Sequence, residues 1–158
     1  MHPHAQLIER FYQAFQRRDA EAMAACYAPN AEFSDPVFPA LKNGEPGMMW
    51  RMLLARATDL SLAYRDISAD EQAGRAHWTA TYTFSRTGRA VVNEIDAAFE
   101  FGDGLISRHR DSFDFWRWAG MALGAKGKLL GWTPLVRNAV RAEAARGLQI
   151  FIARQKRA

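Results

Sequence analysis

The chain has 158 residues, 49% of them apolar and 12% aromatic, with a net charge of +4. That is the length of one domain and enough apolar material for a core, while the single cysteine, Cys26, excludes an internal disulfide and a cysteine-built metal cluster. No apolar run approaches the ~20 residues a membrane-spanning helix needs, and Met1-His2-Pro3-His4 lacks a signal peptide's basic-then-apolar order, so the expectation is a cytoplasmic protein. The charge is uneven. Residues 1–116 hold 12 Lys/Arg against 16 Asp/Glu, whereas residues 117–158 hold 9 against 1. A basic end of this kind suits a solvated helix face docked on an acidic body, or contact with a membrane surface or nucleic acid.

Leu7, Ile8, Phe11, Tyr12 and Phe15 recur at helical spacing, which predicts a first helix from about His4 to Arg17. Asp19 caps a short second helix, Ala20 to Tyr27, which Pro29-Asn30 stops. Cys26 falls in its apolar stretch and reads as a small core residue. The run Ala31-Glu32-Phe33-Ser34 is a strand closed by Asp35-Pro36, since Pro36 lacks the next ladder donor. The following loop, Val37-Phe38-Pro39-Ala40-Leu41, is too apolar to face water and is expected to line or roof a cavity. A third helix follows Asn43-Gly44, with Met48, Met49, Met52, Leu53 and Ala57 as its buried stripe.

The period then changes to two, predicting strands over Leu60–Asp70, Ala76–Ser85, Val91–Phe101 and Leu105–Phe115. Thr87-Gly88 reads as a two-residue hairpin turn, pairing Phe84 with Val91, Tyr82 with Asn93, Ala80 with Ile95 and Trp78 with Ala97. Matching apolar faces across the Gly102-Asp103-Gly104 turn sets Ala97 opposite His109, Ile95 opposite Asp111 and Asn93 opposite Phe113. On the outer face Asp96 then meets Arg110, and His77 lies on that same face.

The inner face is apolar through Trp78, Phe84, Ile95, Phe99 and Phe113, with Tyr82, Asn93, His109 and Asp111 as its polar members. Buried polar groups must bond to one another, to water or to a ligand, and an apolar concavity with a few converging polar groups is a small-molecule site. His109 and Asp111 project to one face with Cα atoms about 6.5–7 Å apart. They can share one bound molecule or water, or bond to each other and close the sheet end. No His, Asp, Glu or Cys set has metal-ligand spacing and no glycine loop cradles phosphate, so neither metal nor cofactor is expected.

The order of two helices, the Asp35-Pro36-Val37 run, a third helix and four long strands resembles the NTF2-like superfamily of ketosteroid isomerases, limonene-epoxide hydrolases and SnoaL-type polyketide cyclases. The resemblance covers about residues 5 to 116 and implies an α+β cone, a curved antiparallel sheet wrapped around three N-terminal helices. It places the isomerase's proton-shuttling base on Asp35. The isomerase's oxyanion tyrosine falls on Phe11, beside Tyr12, and its protonated aspartic acid on Ala97, so the oxyanion hole is missing. An Asp-Arg-Asp hydrolase set is not met, because Arg108 and Arg110 point outward. His109 and Asp111 look more like a SnoaL-type arrangement of a pocket acid with a histidine.

The expected division is an NTF2-like domain, 1–116, and a basic helical extension, 117–158, with a short helix over Ala119–Leu123. Gly124, Gly127 and Gly131 interrupt the chain before a last helix that Thr133-Pro134 starts. Its stripe is Val136, Val140, Ala144, Leu148, Phe151 and Ile152. The candidate catalytic residues are Asp35, His109 and Asp111, and the candidate ligand contacts are Tyr12, Phe38, Trp78, Tyr82, Asn93, Phe99 and Phe113. The expected partners are a small apolar molecule and a second copy of the chain, met through the outer sheet face as in the relatives. Nucleic acid is not expected, since aromatics are not interleaved with the basic residues. Three functions stay open: acid-base catalysis (isomerase, cyclase or hydrolase) on an apolar carbonyl compound, binding of an apolar ligand without turnover, and attachment to a membrane or partner through the tail.

Overall fold

A computed structural model describes residues 1–157. Helices α1 (Pro3–Gln16) and α2 (Ala20–Ala25) lead into strand β1 (Tyr27–Ser34) and helix α3 (Glu45–Arg56). Strands β2 (Ser61–Ala69), β3 (Ala73–Phe84), β4 (Arg89–Gly102) and β5 (Leu105–Ser112) follow, then helices α4 (Phe115–Leu123), α5 (Ala125–Leu130) and α6 (Pro134–Arg157). The five strands form one sheet in the order β1-β5-β4-β3-β2. Its hairpins are antiparallel, but β1 runs parallel to β5, so the sheet is mixed where the sequence predicted antiparallel pairing throughout.

The apolar stripe of α1 packs into the sheet's concave face, with Leu7, Ile8, Phe11, Tyr12 and Phe15 all buried. Asp19 caps α2 by accepting the Ala22 amide at 3.0 Å. The strand then starts at Tyr27, so Pro29 and Asn30 lie inside β1 rather than ending the helix. The β1–β5 register slips between Tyr27 and Glu32, an irregularity that absorbs the proline's missing donor. In α3 the buried stripe is Met49, Trp50, Met52 and Leu54, while Met48 and Leu53 are only partly covered.

Both predicted hairpin registers are shifted by two residues, which leaves every side chain on its expected face. The β3–β4 loop is four residues long, Ser85 to Gly88, so Tyr82 pairs with Val91, Ala80 with Asn93 and Trp78 with Ile95. Gly88, at φ 71°, closes it, and the Thr87 hydroxyl donates to the Ala122 carbonyl at 2.6 Å. That contact with α4 holds the longer loop. In β5 an extra residue, Ser107, interrupts the ladder, so Phe99 faces His109 and Ala97 faces Asp111. Asp96 therefore lies opposite Ser112 and not Arg110; its partner is His77 across β3, at 2.8 Å.

The extension is folded into the body. Glycines expected to break the chain instead allow α5 onto α4: a Cβ at Gly127 would sit 1.9 Å from the Ala119 carbonyl oxygen. Val136 joins a core with Val91, Phe115 and Trp118, and Leu148 joins the main core, where α6 packs on α3. Arg141 Nε donates to the Pro36 carbonyl at 2.8 Å, Gln149 to Glu45 at 3.3 Å, and Glu143 pairs with Arg86 and Arg146.

Candidate functional site

A cavity of about 760 Å³ lies between the open end of the sheet, α3 and the extension. Trp78, Ile95 and Phe113 form part of its wall, Val37 and Phe38 come from the apolar loop, and Val136, Val140 and Ala144 of α6 roof it. The loop therefore lines the cavity, as its composition predicts. The polar groups on the wall include Asp35, Tyr82, Asn93 and Asp111.

Asp111 is the inner end of a buried chain of hydrogen bonds. Trp50 Nε1–H donates to the Tyr27 hydroxyl at 2.9 Å, that hydroxyl lies 2.7 Å from His109 Nδ1, and His109 Nε2 lies 2.9 Å from Asp111 Oδ1. An indole can only donate, so it fills a lone pair of the Tyr27 oxygen and leaves the tyrosine proton for His109 Nδ1. Burial drives the Tyr27 pKa well above its usual value, which keeps that proton in place at neutral pH. The assigned tautomer of His109 then carries its proton on Nε2 and donates it to Asp111. Trp78 Nε1–H adds a weaker donor to the same Oδ1 at 3.4 Å. These contacts converge on Oδ1, which leaves Oδ2 for a molecule in the cavity.

The sequence spacing left open whether His109 and Asp111 share a bound molecule or bond to each other. Side-chain reach overcomes the Cα separation, and the pair is bonded. His109 itself is fully buried behind the wall, stacked on Phe99 at 4.4 Å between ring centres, and touches the cavity only through Asp111.

Asp35 supplies the second carboxylate. It ends β1, and its Oδ1 accepts the amides of Val37 at 2.7 Å and Phe38 at 2.6 Å, a local turn that Pro36 favours. It is half-buried, and it is one of the groups on the cavity wall. Burial pushes its pKa up to about 7; the Asp111 charge adds to this, and the two amides and the Arg141 guanidinium oppose it. The Tyr82 hydroxyl accepts from Trp118 Nε1–H at 2.8 Å, so the extension fixes one lone pair of a wall residue and leaves its own proton free to donate. The Asn93 amide is buried on the same wall with no side-chain partner among the described residues.

Of the residues singled out from sequence, Asp35, Phe38, Trp78, Tyr82, Asn93, Asp111 and Phe113 share this cavity. Tyr12 and Phe99 do not line it. Tyr12 is stacked on Tyr64 at 5.4 Å inside the core, and its hydroxyl has no partner among the described residues. Ala97, where the isomerase resemblance calls for an acid, lies directly across the ladder from Asp111. Tyr27, Trp50 and Trp118 were missed. Tyr27 falls at the end of the predicted second helix, and the sequence pattern assigns no role to Trp50 or Trp118. Among the described residues no group of His, Cys, Asp and Glu is placed to hold a metal ion.

The family profile of the SnoaL-like domain matches residues 8–109. The chain belongs to the SnoaL-like domain family. The match stops at His109, so Asp111 and the whole extension lie beyond it. Among solved structures, an NTF2-like protein of unknown function from Burkholderia pseudomallei is 19% identical, with a TM-score of 0.63 over 72% of this chain and 92% of that one. A provisionally assigned polyketide cyclase from Xanthomonas campestris pv. campestris is 20% identical, with a TM-score of 0.62 over 73% and 93%. An M. tuberculosis epoxide hydrolase of the LEH-like type is 23% identical, with a TM-score of 0.61 over 85% and 95%. At these identities the likeness is one of fold, the NTF2-like cone. Comparison with curated proteins gives no match.

Proposed function

We propose that this SnoaL-like protein is an acid-base enzyme that moves protons on a small apolar carbonyl compound without a cofactor. The observation that carries the reading is the pair of carboxylates, Asp35 and Asp111, on the wall of one apolar cavity, with Asp35 poised at a pKa of about 7. A group that titrates near the working pH can both give and take a proton. With a carbonyl compound bound, Asp111 Oδ2 takes the proton from the carbon next to the carbonyl, and the C–H electron pair moves into the new carbon–carbon double bond. Protonated Asp35 gives its proton to the carbonyl oxygen. Return of a proton to a different carbon isomerises the substrate, and attack of the enol carbon on a second carbonyl closes a ring. His109 holds Asp111 in position throughout, and Tyr82 and Asn93 offer hydrogen bonds that orient the substrate. Neutral apolar substrates of up to a few fused rings suit a cavity of about 760 Å³.

The test is deuterium uptake, followed by proton NMR in heavy water, across a panel of cyclic 1,3-diketones and polyketide-like lactones. Wild-type protein should exchange the acidic C–H of at least one compound, and Asp111→Asn should slow this by about 10²-fold or more. Tight binding of panel members with no exchange by the wild type would instead favour a binding protein without turnover.

A further inference from the structure

The turn between α5 and α6 carries a concentration of large apolar side chains in water. Leu129 is 71% exposed, Trp132 59% and Leu135 78%. Leu130, also exposed, and Leu135 line the cavity as well, so this apolar tip is continuous with the cavity mouth. The tip is held in shape. Gly131 N–H donates to the Gly127 carbonyl at 2.8 Å, Thr133 N–H to the Leu130 carbonyl at 2.9 Å, and Trp132 Nε1–H to the Leu129 carbonyl at 3.0 Å. Its apolar side chains are therefore presented at little further entropic cost.

The charge around the tip selects among occupants. Lys126 and Lys128 stand exposed on α5 beside it, and the only acidic residue of 117–158, Glu143, is already engaged with Arg86 and Arg146. A second copy docking tip to tip would bring lysine against lysine. Nucleic acid would satisfy the lysines but leave Leu129 and Leu135 without an apolar partner. Leucine and tryptophan side chains flanked by lysines match an interface that is apolar below and anionic at its surface.

We propose that the Leu129–Leu135 tip seats the protein on an anionic lipid surface, with the cavity mouth toward the bilayer. Among the described residues no helix is long and apolar enough to cross a membrane, and the proposed attachment is peripheral. The mouth then opens where apolar compounds partition, and a ligand can enter without crossing water. The inference does not depend on the chemistry at Asp111, because its test reads partition and not turnover.

The experiment is sedimentation of the full-length protein with phosphatidylcholine vesicles, with and without about 30 mol% phosphatidylglycerol, at low and high salt. Wild-type protein should pellet with the anionic vesicles and be released by salt. The exposed-residue variant Leu129→Ser/Trp132→Ser/Leu135→Ser and the charge variant Lys126→Glu/Lys128→Glu should each lower the partition by about ten-fold or more. Circular dichroism spectra unchanged from wild type check that both fold. Failure of the wild type to pellet, or partition of both variants equal to wild type, overturns the proposal. So does a wild-type dimer that the serine variant turns into a monomer in sedimentation velocity, which would make the tip a contact between copies.

Discussion

Asp35→Asn tests the electrostatics of the site without any substrate. The asparagine oxygen can still accept the Val37 and Phe38 amides, so the turn survives and only the ionisation is removed. In the unfolded chain an aspartate titrates near 3.9, and in the folded protein Asp35 titrates at about 7. Below pH ~4 the carboxyl is protonated in both states and contributes no pH-dependent difference. Between about pH 4 and 7 the native state keeps a proton the unfolded state has lost, so wild-type stability falls by about 1.36 kcal/mol per pH unit from this group. Summed over the window, the ceiling is about 4 kcal/mol, reduced by whatever water the cavity admits beside the carboxylate. Urea denaturation of both proteins from pH 4 to 8 should show Asp35→Asn gaining on wild type as pH rises and levelling off above pH ~7. The upper bend of the difference curve, where it levels off, reports the native pKa. A flat difference, or a wild type that gains on the variant as pH rises, refutes the account of a desolvated carboxyl.

Tyr27→Phe leaves the buried Trp50 Nε1–H and His109 Nδ1 without partners, and should cost about 1–3 kcal/mol in urea denaturation. The nitrogen NMR shifts of His109 should also lose the signature of a single tautomer; a neutral effect on both would remove Tyr27 from the relay. Leu148→Ala, in the part of α6 that enters the main core, should lower stability by about 2–5 kcal/mol in one cooperative transition. Two separate transitions, with only one of them shifted, would mean that the extension folds apart from the body. On the outer face the Asp96 hydrogen bond, aided by Glu94 and opposed by burial, raises the His77 pKa. The stabilisation from that pairing is complete below the unfolded histidine value of about 6.5 and is lost as pH rises through the folded one. Asp96→Asn should move the His77 NMR titration to lower pH, and an unmoved titration would assign the shift to other groups.

Periodicity revealed the elements and their faces because each strand buries one side, and a two-residue error in pairing leaves that side unchanged. The same parity hid the register. Face matching cannot distinguish the predicted pairing of Ala97 with His109 from the actual one with Asp111, and nothing in the composition of β5 announces the extra residue at Ser107. The parallel docking of β1 on β5 left no local signal either, since the strands are joined by most of the chain and no turn sets their direction. Asp111 was legible as a polar residue where the pattern called for an apolar one, and Asp35 through the resemblance of the Asp35-Pro36-Val37 run to the NTF2-like isomerases. Tyr27 and Trp50 were not, because a buried tyrosine or tryptophan looks like core until its polar atom finds a partner. The α6 stripe left packing against the body, a second copy or a membrane open, and its place over the cavity depends on contacts such as Arg141 with Pro36, 105 positions apart, which no sequence window contains.

The pairing of β1 with β5 also sets a timetable. Tyr27 meets His109 across 82 positions, so the relay has no native-like precursor in any local segment. Closing so long a loop is entropically slow compared with zipping the β2–β5 hairpins, each joined by a short turn. The meander and the N-terminal helices can form early, but the bond chain ending at Asp111 waits for β1 to dock at the sheet edge, and the cavity waits further for α6 to cover it. During synthesis nearly the whole chain must leave the ribosome before this happens. A chain that stops before β5 has three of the six helices, four of the five strands and Asp35, but neither His109 nor Asp111.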